Sequence, residues 1–366
     1  MCNLIMTIVN RWKKPVNVWV IASLVVCFIS SSFLLYSING SKFYEAAAIS
    51  ALASALMGID CMLNAFTEKG IELLLGATFM ALAVGCRPNF VLASIIIVPI
   101  VLNGLATNGG YNRINKVGKT SVNEHKKCNY FKAIFSRKNI KEIITFALPY
   151  LVIGIALMYY NYIRFGSITE FGAKYQLTVY DTSYYHITDI GKLPVAISKG
   201  LLMPPSVSSV FPYLNPTTTS SNYMGFFYSM ACMGIFAYPI MWLLALIPWT
   251  GRRTIKETGN KGFVMTTLVV AFAMCYITTT MGGTSLRYSI DYAWMFFLPI
   301  IYVVLIMYSK AREKGLERYV TIIMIVLAIA SFAITAMVAI SPEWSDIKYD
   351  SPVLFYYIKQ MLVFWK

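Results

Sequence analysis

Apolar runs of roughly 16 to 25 residues recur along the chain, and short polar or basic turns separate them. Runs of this length can cross the hydrocarbon core of a membrane as helices, which satisfy their backbone hydrogen bonds internally. The composition agrees, because 58% of the 366 residues are hydrophobic and only 13% are charged. A soluble domain is nearer a quarter charged. The sequence therefore predicts an all-α polytopic transmembrane bundle that forms one domain over residues 1–366.

The positions of the apolar runs, the prolines between them and the basic turns predict nine membrane spans. Their predicted bounds are 16–36, 43–66, 70–85, 90–105, 143–160, 223–247, 263–280, 288–308 and 319–340. Residues 187–202 are either an amphipathic helix on the membrane surface or an irregular loop. The aromatic tail, 352–366, is predicted to lie in the membrane interface.

The distribution of positive charge predicts the orientation, because cytoplasmic loops collect Lys and Arg. With the N-terminus inside and the C-terminus outside, the inner segments hold 21 of the 31 Lys and Arg residues. The basic loop 106–142 is then cytoplasmic and the long loop 161–222 is extracytoplasmic. The net charge of +15 is explained by this topology in a cell membrane, so nucleic acid is not an expected partner.

Several charged residues fall on or near the predicted outer face, where they define a candidate anion site. They are Glu45, Arg87, Arg164, Glu170, Lys174, Arg287 and Asp291. A charge at membrane depth costs about 2.5 to 3.5 kcal/mol on insertion scales and usually faces a cavity or a partner. Arginine matches phosphate oxygens with its planar fork. The plainer alternatives are a helix-start ion pair between Arg287 and Asp291, and a snorkelling side chain at Arg87.

The polar interval 160–176 follows the fifth predicted span and alternates aromatic residues, glycines and charges. Asn161, Arg164, Glu170 and Lys174 offer too many hydrogen-bonding groups for a surface that faces lipid. The glycines suit turns, and the aromatic residues suit a membrane–water interface. We interpret the interval as a helix end that leaves the bilayer and folds over a polar cavity. An ordinary interfacial loop is the alternative.

Other common site types are not indicated by the sequence. His125 and His186 fall on opposite predicted faces and cannot form a metal site or a catalytic triad together. The seven cysteines have no metal spacing, so neither zinc nor disulfides are expected. No glycine-rich phosphate loop occurs, which makes an ATP-driven pump a poor interpretation.

Three short segments carry a resemblance to a known superfamily. The heptapeptide LAVGCRP at 82–88 resembles the arginine–proline turn in many bacterial members of the GT-C superfamily. Residues 160–176 and 285–291 are similar to segments of an uncharacterised bacterial subgroup of it, and the resemblance covers roughly 40–300. GT-C proteins are multispanning glycosyltransferases that use polyprenyl-phosphate sugar donors at the outer face. The resemblance therefore implies such a donor and membrane lipids as partners.

The resemblance also implies roles for the outer-face residues. Cations must stabilise the phosphate leaving group, and a base must deprotonate the acceptor hydroxyl. The expected phosphate-binding residues are Arg87, Arg164, Lys174, Arg287 and the neighbouring Tyr288. The expected candidates for the base are Glu45, Glu170 and Asp291. A divalent metal is often used in this superfamily, but the sequence offers no clear ligand set for one.

One departure from the superfamily pattern is serious. The superfamily places its catalytic acid in the first outer loop, and residues 37–42 of this chain contain no acid. The chain thus resembles the C-terminal part of a longer transferase and is not expected to transfer sugar alone. An internal start in an interrupted gene, or a separate upstream-encoded membrane chain, would account for this.

Two other functions remain open at the level of the sequence. One is a transporter or flippase of a lipid-linked or anionic substrate, and the other is a non-catalytic membrane subunit. A transferase keeps its polar groups at one face, whereas a transporter needs polar groups through the midplane of the membrane.

Overall fold

The computed structural model describes residues 1–40, 43–66, 71–110, 130–172, 175, 190–223, 226–251, 261–342, 344–345 and 347–363. The described chain is mainly helical, with two small antiparallel sheets. Six of its helices are long and apolar enough to cross a membrane: Glu45–Asn64, Phe90–Asn108, Arg137–Phe165, Lys261–Thr280, Ala293–Glu313 and Glu317–Ala339. The prediction of a helical, membrane-embedded protein is confirmed at this level, while the number of spans and the orientation stay predictions.

The chain divides into two compact units, of which unit 1 contains Met1–Leu52 and Phe171–Lys366, and unit 2 contains Ala53–Glu170. Unit 1 starts with α1 (Cys2–Trp12), α2 (Val18–Ser31), α3 (Leu34–Gly40) and the first part of α4 (Phe43–Asn64). Unit 2 contains the rest of α4 and then α5 (Ile71–Cys86), α6 (Phe90–Ala93), α7 (Val98–Asn108), α8 (Tyr130–Ile134) and α9 (Ile140–Phe165).

Unit 1 resumes with α10 (Leu193–Val195), a π-helix at Ala196–Leu202 and the strands β1 (Ser206–Val207), β2 (Leu214–Asn215), β3 (Thr217–Tyr223) and β4 (Phe226–Cys232). It then continues through a 3₁₀-helix at Pro239–Leu246 and through α11 (Ile247–Gly251), α12 (Lys261–Gly282), α13 (Leu286–Ser289), α14 (Ala293–Glu313), α15 (Glu317–Ala339), α16 (Ile347–Asp350) and α17 (Pro352–Leu362).

Helix α14 is the centre of unit 1. Almost every side chain from Ala293 to Ser309 is buried, and its rings pack against neighbouring helices. Phe272 of α12 meets Phe296 edge-on at 4.9 Å, and Phe263 meets Tyr302 at 6.3 Å. A later residue of α12 therefore pairs with an earlier residue of α14, so the two helices run antiparallel.

Helices α2 and α15 pack closely through small side chains. Cys27 on α2 and Ser331 and Thr335 on α15 are all buried, and the Thr335 hydroxyl donates to the Ser30 carbonyl at 3.1 Å. Lipid offers no hydrophobic drive for helix association, so small residues that permit close approach are what such helices use. Since Ser30 and Thr335 both lie near the C-terminal ends of their helices, α2 and α15 run parallel.

In unit 2, glycines allow α4 and α5 to pack in antiparallel fashion. A Cβ added to Gly58 would lie 2.5 Å from the Met80 side chain, and one added to Gly76 would lie 2.8 Å from the Met62 side chain. Contacts this short leave no room for a larger residue. Each glycine thus packs against a methionine side chain of the opposite helix.

The comparison with the predicted spans is close for most of the chain. Six predicted spans, the second, fourth, fifth and last three, coincide with the helices that are long enough to cross. The first and third coincide with α2 and α5, which have 14 and 16 residues. The sixth, 223–247, is wrong in its first half, because β4 there pairs with β3 as a hairpin. Short apolar runs rich in aromatic residues suit strands as well as helices, so hydropathy alone does not separate them.

The remaining part of the sixth predicted span is a 3₁₀-helix, Pro239–Leu246, which continues into α11. Tyr238 bonds to Thr335 near the C-terminus of α15, whereas Trp249 lies under Lys310 in the last turn of α14. These contacts place its two ends at opposite ends of unit 1. A 3₁₀-helix rises about 2.0 Å per residue, against 1.5 Å in an α-helix, so Pro239–Leu246 and α11 together cover roughly 24 Å.

Enlarging Ser331 is expected to separate α2 from α15. We predict that Ser331→Leu lowers the thermal unfolding midpoint in detergent, because inserting side-chain volume into a close-packed interface typically costs about 1 to 3 kcal/mol. Ala330→Leu, one residue away at a half-buried position, is the matched control. Equal midpoints for the two variants would contradict close packing at Ser331.

Candidate functional site

The N-terminal region of unit 1 binds the turn between α14 and α15. The Trp12 indole donates to the Ser309 hydroxyl at 2.9 Å, and Lys14 pairs with Glu313 at 3.4 Å. Arg312 donates to the carbonyl of Pro15 at 3.1 Å. Further cations lie in the same segments, at Arg11, Lys13, Lys310, Lys314 and Arg318. We call this end of unit 1, defined by residues 11–15 and 309–318, the basic end.

A chain of buried hydroxyl groups lies at the opposite end of the same helices. The Tyr36 and Tyr238 hydroxyls share a hydrogen bond at 2.8 Å, and Tyr238 bonds to the Thr335 hydroxyl at 3.0 Å. The Thr335 proton is committed to the Ser30 carbonyl. Because each hydroxyl has a single proton, Tyr238 must donate to Thr335, and Tyr36 must donate to Tyr238.

The chain of hydroxyl groups depends on an unusual backbone position. Phe33 connects α2 to α3 with φ of 61°, in the left-handed region that non-glycine residues rarely occupy. Its buried ring packs edge-on against Tyr238 at 5.7 Å and in a tilted arrangement against Tyr36 at 5.6 Å. These ring contacts hold the turn that brings Tyr36 back towards α15.

A second buried polar group surrounds the π-helix of unit 1. The Tyr292 hydroxyl donates to the Gly200 carbonyl at 3.2 Å and bonds to the Ser289 hydroxyl at 3.1 Å. A Cβ at Gly200 would lie 2.9 Å from the Cys275 sulfur and 3.0 Å from the Tyr292 oxygen. Glycine is therefore required for this approach.

Most of the buried serines, threonines and acids of unit 1 lie at this end. The set comprises Ser30, Ser31, Ser32, Ser37, Glu45, Thr278, Thr279, Thr280, Thr284, Ser285, Ser289, Asp291, Thr335, Ser341 and Ser345. They come from the ends of α2, α12 and α15, the start of α4 and the segment before α14. We call this end the hydroxyl end. Positions between the two ends are filled mainly by the apolar side chains of α14 and its neighbours.

Among the described residues of unit 1, two acids are buried, and both belong to the hydroxyl end. Glu45, in the first turn of α4, is 4% exposed, and its Oε2 atom forms no hydrogen bond with the described residues. Asp291 is fully buried in the turn before α14. Burying a carboxylate is costly unless it is paired or hydrogen-bonded. Glu45 therefore has an oxygen available to a proton, a cation or a hydroxyl group.

Arg287 is a half-buried cation at the same end, on the short helix α13, which packs against α3. Its Nη2 donates to the Tyr288 hydroxyl at 3.0 Å, and the guanidinium lies 4.8 Å from the centre of that ring. Its Nε atom is buried and has no hydrogen-bond partner among the described residues. The described partner of this guanidinium is thus a neutral phenol.

The predicted pairing of Arg287 with Asp291 is wrong. Helix α13 ends at Ser289, and a turn in which the Asp291 amide donates to the Tyr288 carbonyl replaces the expected helix. Residues four apart share a face only in a continuous α-helix. The sole ion pair between described residues is the one at the basic end.

In unit 2, the two candidate arginines lie at different heights along α9. A Cβ at Gly85, near the end of α5, would meet Ile153 at 3.4 Å, and Arg87 follows two residues later. Arg164 comes eleven residues after Ile153 on α9. At 1.5 Å per residue, Arg164 therefore lies roughly 16 Å beyond Ile153 along the axis of α9. The sequence predicts that both arginines lie at the same depth in the membrane.

Arg164 is engaged with its own helix and is exposed. It donates to the Tyr160 hydroxyl at 2.6 Å and stacks over the rings of Tyr160 and Phe165, at 5.8 and 5.1 Å. Helix α9 ends at Gly166, whose φ is 68°, and the Asn161 amide donates to the Ile168 carbonyl at 3.3 Å. The expected helix end followed by a fold-back is therefore present up to this point.

The other candidates in this segment are less defined. Glu170 is half-buried in unit 2 and makes interactions of its own. Lys174 lies outside the described residues. The predicted surface helix at 187–202 is helical in its described part, Ile190–Leu202.

No group of three or more His, Cys, Asp or Glu residues that could hold a metal occurs in the described part of the chain. The two buried acids at the hydroxyl end would by themselves supply too few ligands for a metal that carries out chemistry.

No family model, no curated protein and no solved structure matches this chain.

The hydroxyl residues were missed by the sequence analysis, which followed charged side chains. Tyr36, Tyr238 and Thr335 come from three distant segments, and each was placed inside an apolar run. The triplet Ser30-Ser31-Ser32, near the end of a predicted span, was the available signal. Serines at a helix end have many ordinary uses, so only the tertiary contacts identify the group.

The separation of the two ends leads to a prediction about sidedness. In a cysteine-free background, we expect Ser351→Cys, just before α17, to react with a membrane-impermeant thiol reagent in intact cells. Lys314→Cys, at the basic end, should react only after permeabilisation, because basic segments remain in the cytoplasm. Both positions are exposed. The opposite labelling pattern would reverse the orientation.

Proposed function

We propose that this chain is a GT-C-type membrane glycosyltransferase. It acts on a polyprenyl-phosphate-linked sugar at the outer face of the cell membrane. The observation that carries the proposal is Arg287, a half-buried guanidinium at the hydroxyl end with a phenol as its described partner. A cation withdrawn from water is stabilised by an anion, and the arginine fork suits phosphate oxygens.

The location of the polar residues supports a transferase over a transporter. Buried acids and hydroxyls concentrate at the hydroxyl end, and the cations at 309–318 belong to the other end. Helix α14 fills the space between them with buried apolar residues. A transport path needs polar groups along its whole length. A reaction at one face needs them only at that face.

The proposed reaction is transfer of the sugar to an acceptor hydroxyl. A carboxylate takes the proton of the hydroxyl as its oxygen attacks the anomeric carbon. The bond from that carbon to the phosphate oxygen breaks, and polyprenyl phosphate leaves with the electron pair. Arg287 stabilises the negative charge that develops on the phosphate, and Tyr288 orients the guanidinium. The buried hydroxyls offer donors and acceptors for the sugar.

Glu45 is the first candidate for the base. Its Oε2 atom is buried and open to a proton, as a general base requires. Asp291 is the second candidate, since it lies four residues after Arg287 at the same end. Glu170, Arg87 and Arg164 belong to unit 2. The proposed role of Glu170 as a base, and that of the two arginines in donor binding, rest on the resemblance of their segments.

Replacement of Arg287 tests phosphate binding. We expect Arg287→Lys to weaken the binding of polyprenyl phosphate to the chain in nanodiscs by about tenfold, because lysine keeps the charge but loses the bidentate fork. Native mass spectrometry of the loaded nanodiscs measures the bound fraction.

The matched control is Arg312→Lys, since Arg312 bonds to a backbone carbonyl at the basic end. It should bind the lipid phosphate as the parent does. Equal weakening in both variants, or none in either, would contradict a phosphate site at Arg287. A loss confined to Arg164→Lys would move the site to unit 2.

Replacement of Glu45 tests the chemistry. Sugar transfer is measured with a labelled polyprenyl-phosphate sugar, for the chain alone and for the chain co-expressed with any upstream-encoded membrane chain. Where transfer occurs, Glu45→Gln should reduce it by about 10² to 10⁴, the usual contribution of a general base.

Glu317→Gln, in the first turn of α15, is the control and should leave transfer unchanged. Full activity of Glu45→Gln would assign the base to Asp291 or Glu170. Absence of transfer under both conditions would argue for a non-catalytic subunit.

A further inference from the structure

Residues 130–141, which lead into α9 of unit 2, are held in place by one asparagine. Asn139 is fully buried, and its amide nitrogen lies 2.7, 2.9 and 3.0 Å from the carbonyl oxygens of Leu105, Ala133 and Ile134. Its two protons are shared among these three acceptors. These bonds tie together the end of α7, helix α8 and the start of α9. The segment 130–141 is therefore a fixed part of the fold.

This fixed segment exposes large apolar side chains. Phe131 is 69% exposed and Phe135 is 76% exposed, and Ile140 and Ile144 are also exposed at the start of α9. Helix α9 belongs to an apolar segment long enough to cross a membrane, so residues 130–141, at its start, lie at a membrane surface. Aromatic side chains at that depth are stabilised by entering the interface.

Cations surround the exposed phenylalanines. Four exposed cations lie within ten residues: Lys132, Arg137, Lys138 and Lys141. Residues 130–142 contain one acid, Glu142. Each Lys or Arg near an anionic leaflet contributes about 1 kcal/mol of attraction. The net positive charge complements an anionic headgroup.

An apolar crevice of about 180 Å³ is lined in part by Ile134, Phe135 and Ile143, which are close neighbours of these cations along the chain. Its walls come from α7, α8 and α9 and include Val101, Leu102, Ile134, Phe135 and Phe146. Pockets for compact small molecules are usually about 300 to 1,000 Å³ and contain a few polar groups that orient the ligand. This crevice is smaller, and every side chain that lines it is apolar. It suits part of a hydrocarbon chain.

We infer that α8 and the start of α9 form a binding site for one anionic phospholipid. The phosphate headgroup lies among Arg137, Lys138 and Lys141, and one acyl chain enters the crevice beside Leu102. Phe131 and Phe135 insert into the leaflet around it. This site is separate from the proposed chemistry and does not depend on it.

The test uses the delipidated full chain in detergent, incubated with equimolar phosphatidylglycerol and phosphatidylcholine. Native mass spectrometry measures the lipid that each sample retains. We expect the parent to retain phosphatidylglycerol preferentially, and Arg137→Glu with Lys138→Glu to reduce that retention at least about tenfold. The exchange Arg137→Lys with Lys138→Arg keeps the charge and should keep the preference.

The matched control is the double variant Lys314→Glu with Arg318→Glu, at the basic end of unit 1. It changes the net charge by the same amount as the Arg137/Lys138 variant and should leave phosphatidylglycerol retention unchanged. Leu102→Trp fills the crevice without changing the charge and should also lower retention. The Leu102→Trp variant therefore tests the binding site even if the Arg137/Lys138 variant does not fold.

Two results would overturn the inference. One is equal retention of the two lipids by the parent chain. The other is a Leu102→Trp variant that retains phosphatidylglycerol as the parent does, since the crevice would then hold no acyl chain. Equal losses in the Arg137/Lys138 and Lys314/Arg318 variants would likewise reduce the effect to general surface charge.

Discussion

The burial of α14 is the constraint on which the rest of unit 1 depends. A helix that is apolar on every side must be surrounded by other helices or by lipid, and here protein covers almost all of it. Its ring contacts with α12 hold that helix antiparallel to it. With the centre occupied by apolar side chains, polar groups can gather only at the two ends.

The two ends then differ in kind. At the basic end, long cationic side chains reach carbonyls, a carboxylate and an indole ring, and their charged groups remain near water. At the hydroxyl end, the polar groups are short and neutral, apart from Glu45, Asp291 and Arg287. A hydroxyl chain from Tyr36 to Ser30 satisfies its members internally, so it adds polarity to a buried region at modest cost. A charged sugar phosphate would meet few competing charges there.

In unit 2, a buried asparagine side chain joins the end of α7, helix α8 and the start of α9. The side chain of Asn139 replaces several backbone bonds that would otherwise be lost where α7, α8 and α9 meet. Gly109 permits that meeting, because an added Cβ would lie 2.0 Å from the Ala133 carbonyl oxygen. The rigidity that results explains how Phe131 and Phe135 can be held outwards, where the surrounding cations make lipid the suitable neighbour.

The sequence by itself determined that this is a helical membrane protein, since long apolar runs have few other folds in lipid. It also located eight of the predicted spans on observed apolar helices. Only the tertiary structure decided that β4 pairs with β3 and that α13 stops before Asp291, because strand pairing and turns depend on contacts between distant residues. The hydroxyl end was also a tertiary result. Tyr36, Tyr238 and Thr335 are ordinary members of apolar runs until packing around α14 brings their oxygens together.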